Sequence, residues 1–241
     1  MNLTTVLFDL DGTLLPMKMD CFTGGYLGLL AQKLAPLGYE PKHLVASIWA
    51  GVAAMVKNDG SRRNEEAFWE TFAQIYGQTR AERDRTAIEE FYNVDFAAAQ
   101  QFCGYDPAAR KCLDFLKAKG LRRILATNPF FPEKATLLRI GWAGLSPEDF
   151  EQITTYENVS YCKPNPEYYR EVLRRGGIAP EEALMVGNDA VEDLAAAKAG
   201  IRCFLLTPCL LHEEGLDLTN VPKGGFPELL EYIEQETRRL S

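Results

Sequence analysis

The chain has 241 residues, of which 46% are hydrophobic and 25% charged, proportions ordinary for a soluble globular protein with one large domain or a domain carrying an insertion. A formal net charge of −8 gives a nucleic-acid partner no global electrostatic support, and no apolar run is long enough to read as a membrane span. The N-terminus lacks the basic region and long apolar core of a secretory signal.

Cysteines at 21, 103, 112, 162, 203 and 209 form no CxxC pair, and the only histidines are His43 and His212. Reduced thiols in a cytoplasmic protein are expected, and a zinc site of His and Cys is not.

Residues 3–9 read as a strand. Its apolar run, Val6-Leu7-Phe8, stops at Asp9-Leu10-Asp11-Gly12-Thr13-Leu14. Two carboxylates one residue apart at a strand end repel each other and call for a compensating cation or a raised pKa. Residues 24–103 change character. Tyr26, Leu27, Leu30 and Leu34 recur at helical spacing, as do Leu44, Ile48, Val52 and Met55, then Phe68 and Phe72, then Ile88 and Phe91. This predicts a run of amphipathic helices without a strand. Gly38, Asn58-Asp59-Gly60 and Gly77 punctuate it.

From Asp106-Pro107 onward, strands and helices alternate. Pro107 opens a helix that stops at Gly120. Residues 123–127 form a strand, 132–140 a helix, and 152–156 a short extended segment. A helix spans 166–175, a strand 183–187, a helix 191–199, a strand 202–206, and a final helix 227–239. This alternation predicts a parallel sheet with helices on both faces. The first strand belongs to that sheet, so residues 17–103 are an all-helical insertion.

Ligands of open parallel sheets bind beyond the carboxyl ends of the strands. Asp9 and Asp11, Thr127-Asn128, Lys163 and Asn188-Asp189 with Asp193 beyond them all fall at such ends. In this order they resemble the sequence motifs of the haloacid dehalogenase (HAD) superfamily, beginning with its DxDGT[LV] signature. The resemblance covers residues 4–16 and about 121–207. It implies an α/β, Rossmann-like catalytic core (1–16 and 104–241) and a helical cap domain (17–103). Family members often read Gly-Asp where this chain has Gly187-Asn188.

The resemblance further implies a phosphatase acting on a small phosphorylated metabolite with Mg²⁺ as cofactor. Asp9 would attack phosphorus and form an aspartyl-phosphate. Asp11 would protonate the leaving group and then activate water. Thr127 and the backbone of Asn128 would hold phosphoryl oxygens, and Lys163 would neutralise charge. Mg²⁺ would be held by Asp9, the Asp11 carbonyl and Asp189, with Asn188 as neighbour or substitute. Asp193 would orient Lys163 or a metal-bound water.

The cap would lie over the active edge, with Pro16 and Cys103-Gly104-Tyr105 as hinges. The loop of Lys57, Arg62 and Arg63 reads as a solvated basic turn or as a contact for an anionic leaving group. Met17 and Lys18 are weaker candidates of the same kind, and Trp49 and Trp69 fit packing stripes. A phosphoglucomutase-like transfer and a non-catalytic binding protein are the alternatives. Asp11 argues against halide displacement, which needs no second acid. Neither a membrane nor a nucleic acid is expected as partner, and the sequence leaves the oligomeric state open.

Overall fold

A computed structural model describes residues 3–238. Six strands form one parallel sheet in the order β3-β2-β1-β4-β5-β6. They are β1 (Thr5–Phe8), β2 (Arg122–Leu125), β3 (Gln152–Ile153), β4 (Ala183–Gly187), β5 (Arg202–Leu206) and β6 (Lys223–Gly224). β1 lies at the centre, with Phe8 in register with Leu125 on one side and Val186 on the other.

The alternation of β1 sends its side chains to opposite faces. Val6 and Phe8 pack in one apolar cluster with α5 (Pro107–Ala118) and α8 (Phe226–Arg238). Leu7 packs in the other with α7 (Pro166–Gly176). A buried parallel strand needs apolar residues on both faces, and Thr5 to Phe8 are all buried.

Between β1 and β2 the chain leaves the sheet. It forms α1 (Met19–Leu34), α2 (Pro41–Val56), α3 (Asn64–Tyr76) and α4 (Gln78–Asn93), then a 3₁₀ segment, Asp95–Phe102. No strand interrupts these helices. The outgoing and returning chains run side by side. The Gly104 amide donates to the Pro16 carbonyl at 2.6 Å, and Met17 bridges Cys103.

Two contacts fasten the insertion to the sheet domain. One is an aromatic seam. Phe131 of the loop before α6 (Glu133–Trp142) meets Tyr26 at 5.2 Å and Phe96 at 6.0 Å, and Phe96 stacks on Trp142 at 5.3 Å. The other is polar. The Asn64 side-chain amide donates to the Tyr161 carbonyl, Arg63 pairs with Glu171, and the Tyr161 hydroxyl donates to the Asp59 carbonyl.

The structure departs from the sequence reading in several places. The helix expected over 191–199 is turns followed by a 3₁₀ segment, Leu194–Ala199. Asp189 accepts from the Val191 and Glu192 amides, and Asp193 closes back on the Asp189 amide. The strand β6 is too short to leave a sequence pattern. The first helix after β1 begins at Met19, earlier than the helical spacing from Tyr26 onward marks it. The end of the predicted last helix, residue 239, lies outside the described residues.

Phe72 is fully buried among Phe68, Tyr39 and Tyr76, with its ring 4.8 Å from that of Tyr76. Phe72→Ala is expected to cost about 3–5 kcal/mol, read as a lowered urea midpoint for unfolding of the insertion.

Candidate active site

The centre of the site follows from the sheet order. β1 and β4 are neighbours, so their carboxyl ends bring Asp9 beside the 187–193 loop. Lys163 arrives from the loop beyond β3 with a fully buried side chain. Its ammonium donates to Asp9 Oδ1 at 2.8 Å and to Asp193 Oδ1 at 2.7 Å. Burial alone would lower the lysine pKa, but the Asp193 and Asp9 carboxylates outweigh it and hold it well above its ordinary value.

Asp9 stands on the other side of this balance. Burial, opposed by Lys163 and reinforced by Asp193 and Asp11, pushes its carboxyl up to about 7. The nearby Glu192 carboxyl is also raised to about 7, again mainly by burial. Thr127, Asn128, Asp11, Asp189 and Glu192 line the same cavity as Asp9. The sheet edge therefore brings together all the strand-end candidates except that Lys163 lies beneath the cavity wall, behind Asp9.

Asn128 contributes its side chain as well as its backbone. Its amide donates to Glu192 at 2.9 Å, and its oxygen accepts from the Lys163 amide at 3.2 Å. It ties the lysine loop to the 187–193 loop.

Asn188 is occupied at both ends. Its oxygen accepts from the Thr13 hydroxyl at 2.9 Å, and its nitrogen donates to the Cys209 carbonyl at 2.7 Å. An ionised aspartate could not make the second bond, which accounts for Asn at this position. Gly12 (φ +86°) lies against it, and a Cβ there would fall 2.3 Å from the Asn188 nitrogen. Asp189 accepts from the Val191 and Glu192 amides through Oδ1, and Oδ2 lies 2.7 Å from His212 Nδ1.

Three residues went unrecognised as site residues in the sequence, Glu192 among them. Arg139 of α6 is fully buried and pairs through Nη1 with Asp11 Oδ2. Its Nε donates to the Ala135 carbonyl at 3.2 Å, and its guanidinium sits 4.1 Å from the Phe131 ring centroid. A single arginine in an amphipathic helix carries no sequence signal of this role. His212, with φ at +54°, had only its rarity to mark it.

The basic loop has a different place from the contact considered in the sequence. Among the described residues, Lys57, Arg62 and Arg63 do not line the cavity. Arg62 pairs with Glu70, and Arg63 clasps Glu171 and the Asn158 carbonyl. Met17 and Lys18 lie outside the cavity wall too. Trp49 and Trp69 do line it, and Trp49 is 50% exposed rather than core.

Acids outnumber bases at the sheet edge, and Asp11 Oδ1 is buried without a hydrogen-bond partner. An orphaned carboxylate oxygen beside a second crowded carboxylate suits a cation. Among the described residues, no three His, Cys, Asp or Glu side chains form an enclosing metal cluster. A hard cation can be held by one or two carboxylates while keeping several waters.

Arg139→Met would leave the Asp11 carboxylate without its buried partner and should cost about 3–5 kcal/mol of stability. Adding Asp11→Asn should recover part of that loss, and denaturation of both single variants and the double variant measures the coupling.

The family model for haloacid dehalogenase-like hydrolases matches residues 3–200. A glyceraldehyde 3-phosphate phosphatase of Methanothermobacter thermautotrophicus is 30% identical over 154 residues, 60% of this chain and 65% of that protein, just under two thirds of its length. A phosphoglycolate phosphatase of Shigella dysenteriae serotype 1 is 31% identical over 224 residues, 89% of this chain and 85% of that protein. Among solved structures, a 2-haloacid dehalogenase from Pseudomonas syringae pv. Tomato DC3000 superposes with a TM-score of 0.63 at 22% identity, covering 97% of this chain and 99% of that one. That likeness shows the fold. With the motif residues gathered at the sheet edge and the family model spanning most of the chain, the protein belongs to the haloacid dehalogenase-like hydrolases.

Proposed function

We propose that the protein is a Mg²⁺-dependent phosphatase that hydrolyses a small phosphorylated metabolite through an aspartyl-phosphate on Asp9. The observation that carries this reading is the buried Asp9–Lys163–Asp193 chain, with Asp11 two residues on. The activities for which the two curated relatives are named support it. Residues 1–16 and 104–241 serve as the catalytic core, and 17–103 as the cap. A cytoplasmic setting fits the six cysteines, all free, and no helix of the described residues is long and apolar enough to cross a membrane.

Asp9 attacks phosphorus, and the bond from phosphorus to the ester oxygen breaks. That oxygen takes its proton from the Asp11 carboxyl group. Water then gives a proton to Asp11 and attacks the aspartyl-phosphate. The phosphorus–Asp9 bond breaks, and free phosphate leaves with both residues restored.

Lys163 opposes the burial that raises the Asp9 carboxyl and balances the transferring phosphoryl group, while Asp193 fixes the lysine. Thr127 and the Asn128 backbone hold phosphoryl oxygens. Asp9, the Asp11 carbonyl and Asp189 would hold the metal. When bound, it offsets the repulsion between the Asp9 carboxylate and the phosphoryl oxygens. Asn188, engaged at both ends, positions the Asp189 backbone.

The mutase alternative must hold a second phosphate on the cap side. Lys134 is the only lysine or arginine in the cavity wall among the described residues, which favours hydrolysis. Asp11 and its dedicated arginine favour phosphate over halide chemistry.

Phosphate release from a panel of phosphomonoesters should appear with Mg²⁺ and vanish with EDTA. Asp9→Asn should lower kcat by about 10³-fold or more and abolish acid-stable labelling of the protein by a ³²P-labelled substrate. Full activity in that variant would overturn the nucleophile assignment. Lys163→Met should also remove activity, and the reading fails if it leaves turnover unchanged.

A further inference from the structure

The cavity above Asp9 has a volume of about 460 Å³, within the range of pockets that enclose a whole small-molecule ligand. A phosphoryl group and a two-carbon acid would leave most of it empty. Its two ends differ in chemistry. The sheet end carries the polar groups described above. The insertion end is walled mainly by Phe22, Tyr26, Trp49, Phe68, Trp69 and Tyr92, with aliphatic side chains between them and Thr23 and Asn93 as its neutral polar residues.

The charges at that end are acidic and already engaged. Glu65 and Glu89 both pair with Arg85, which is not part of the cavity wall among the described residues. Glu157 accepts from the Glu133 amide, and burial raises its pKa. Opposite them stands the exposed Lys134 alone. A carboxylate or second phosphate held here would lose its hydration against aromatic faces, with glutamates nearby and no arginine to meet it.

On these grounds, and resting on the phosphatase reading above, we infer that the substrate's alcohol part is bulky, apolar or aromatic, and carries no anionic group. Trp49 is the wall residue that nothing else explains. It is a large apolar side chain, 50% exposed, at the rim of a cavity. It stacks on the leaving group of a bound phosphomonoester. The site therefore differs in preference from one built for phosphoglycolate, whose leaving group bears a carboxylate.

Four primary alkyl phosphates of similar leaving-group chemistry test this with the full chain and Mg²⁺: 2-phenylethyl phosphate, ethyl phosphate, 2-phosphoglycolate and O-phosphoethanolamine. The expected order of kcat/KM places 2-phenylethyl phosphate first, about ten-fold or more above 2-phosphoglycolate. Trp49→Ala should lower the ratio of kcat/KM for 2-phenylethyl phosphate over ethyl phosphate about ten-fold. Trp49→Arg should raise the relative rate on 2-phosphoglycolate. Trp49 is half exposed, so both variants are expected to fold, checked by their unfolding midpoints. Preference for 2-phosphoglycolate or for O-phosphoethanolamine overturns the inference and leaves the phosphatase reading standing. No hydrolysis of any of the four, or of p-nitrophenyl phosphate, overturns the phosphatase reading itself.

Discussion

The site depends on one buried ammonium. Lys163 has no exposed side-chain surface and lies between two aspartates, at 2.8 Å from Asp9 and 2.7 Å from Asp193. A lone buried lysine would shed its proton, and a lone buried aspartate would take one up. Held together, each lowers the cost of the other's charge: the lysine pKa stays well above its ordinary value, and Lys163 opposes the burial that raises the Asp9 carboxyl to about 7. The condition for this is geometric. The loop beyond β3 must pass under the ends of β1 and β4, which is why the strand order matters to the chemistry. The side-chain bond from Asn128 to the Lys163 amide and the docking of Asn64 on Tyr161 fix that loop from two directions.

The second constraint is how the two aspartates after β1 are separated. They are two residues apart, yet each has its own cation from a different element. Lys163 holds Asp9, and Arg139 holds Asp11. Sharing one cation would have made them equivalent. With separate partners, one carboxylate faces the lysine relay, and the other hangs from α6 with one oxygen paired and the other without a hydrogen bond. Such an asymmetry is what a nucleophile and a proton shuttle require of otherwise identical side chains.

Much of this was legible in the sequence because buried parallel strands announce themselves. Val6-Leu7-Phe8 and the 183–187 run are continuous apolar stretches, and the polar residue that ends each one stands at the sheet's active edge. The helical insertion was legible as period, because apolar residues recur at helical spacing from Tyr26 to Phe91 and no strand pattern interrupts them. Partners brought in by packing were invisible. Arg139 is 128 residues from Asp11 in sequence, and nothing in α6 distinguishes it from a surface arginine until the helix is docked. The 191–199 stretch misled for a different reason. Its alanines suit a helix, but Asp193 closes back on the Asp189 amide, and the turns that follow run on as a 3₁₀ segment.

The aromatic residues of the insertion link these parts. Phe131 stands between Tyr26 and Phe96 of the insertion on one side and the Arg139 guanidinium on the other. The arginine that anchors Asp11 is therefore packed directly beneath the seam that seats the insertion. A shift of the helices that moved Tyr26 or Phe96 would move Phe131, and with it the face on which Arg139 rests. Tyr26 also lines the cavity. The cavity wall and the Asp11 carboxyl group are thus linked by a packed chain of three side chains, Tyr26, Phe131 and Arg139. In this arrangement, the shape of the cavity wall and the placing of Asp11 are a single packing problem, because close-packed aromatic rings transmit small displacements rather than absorb them.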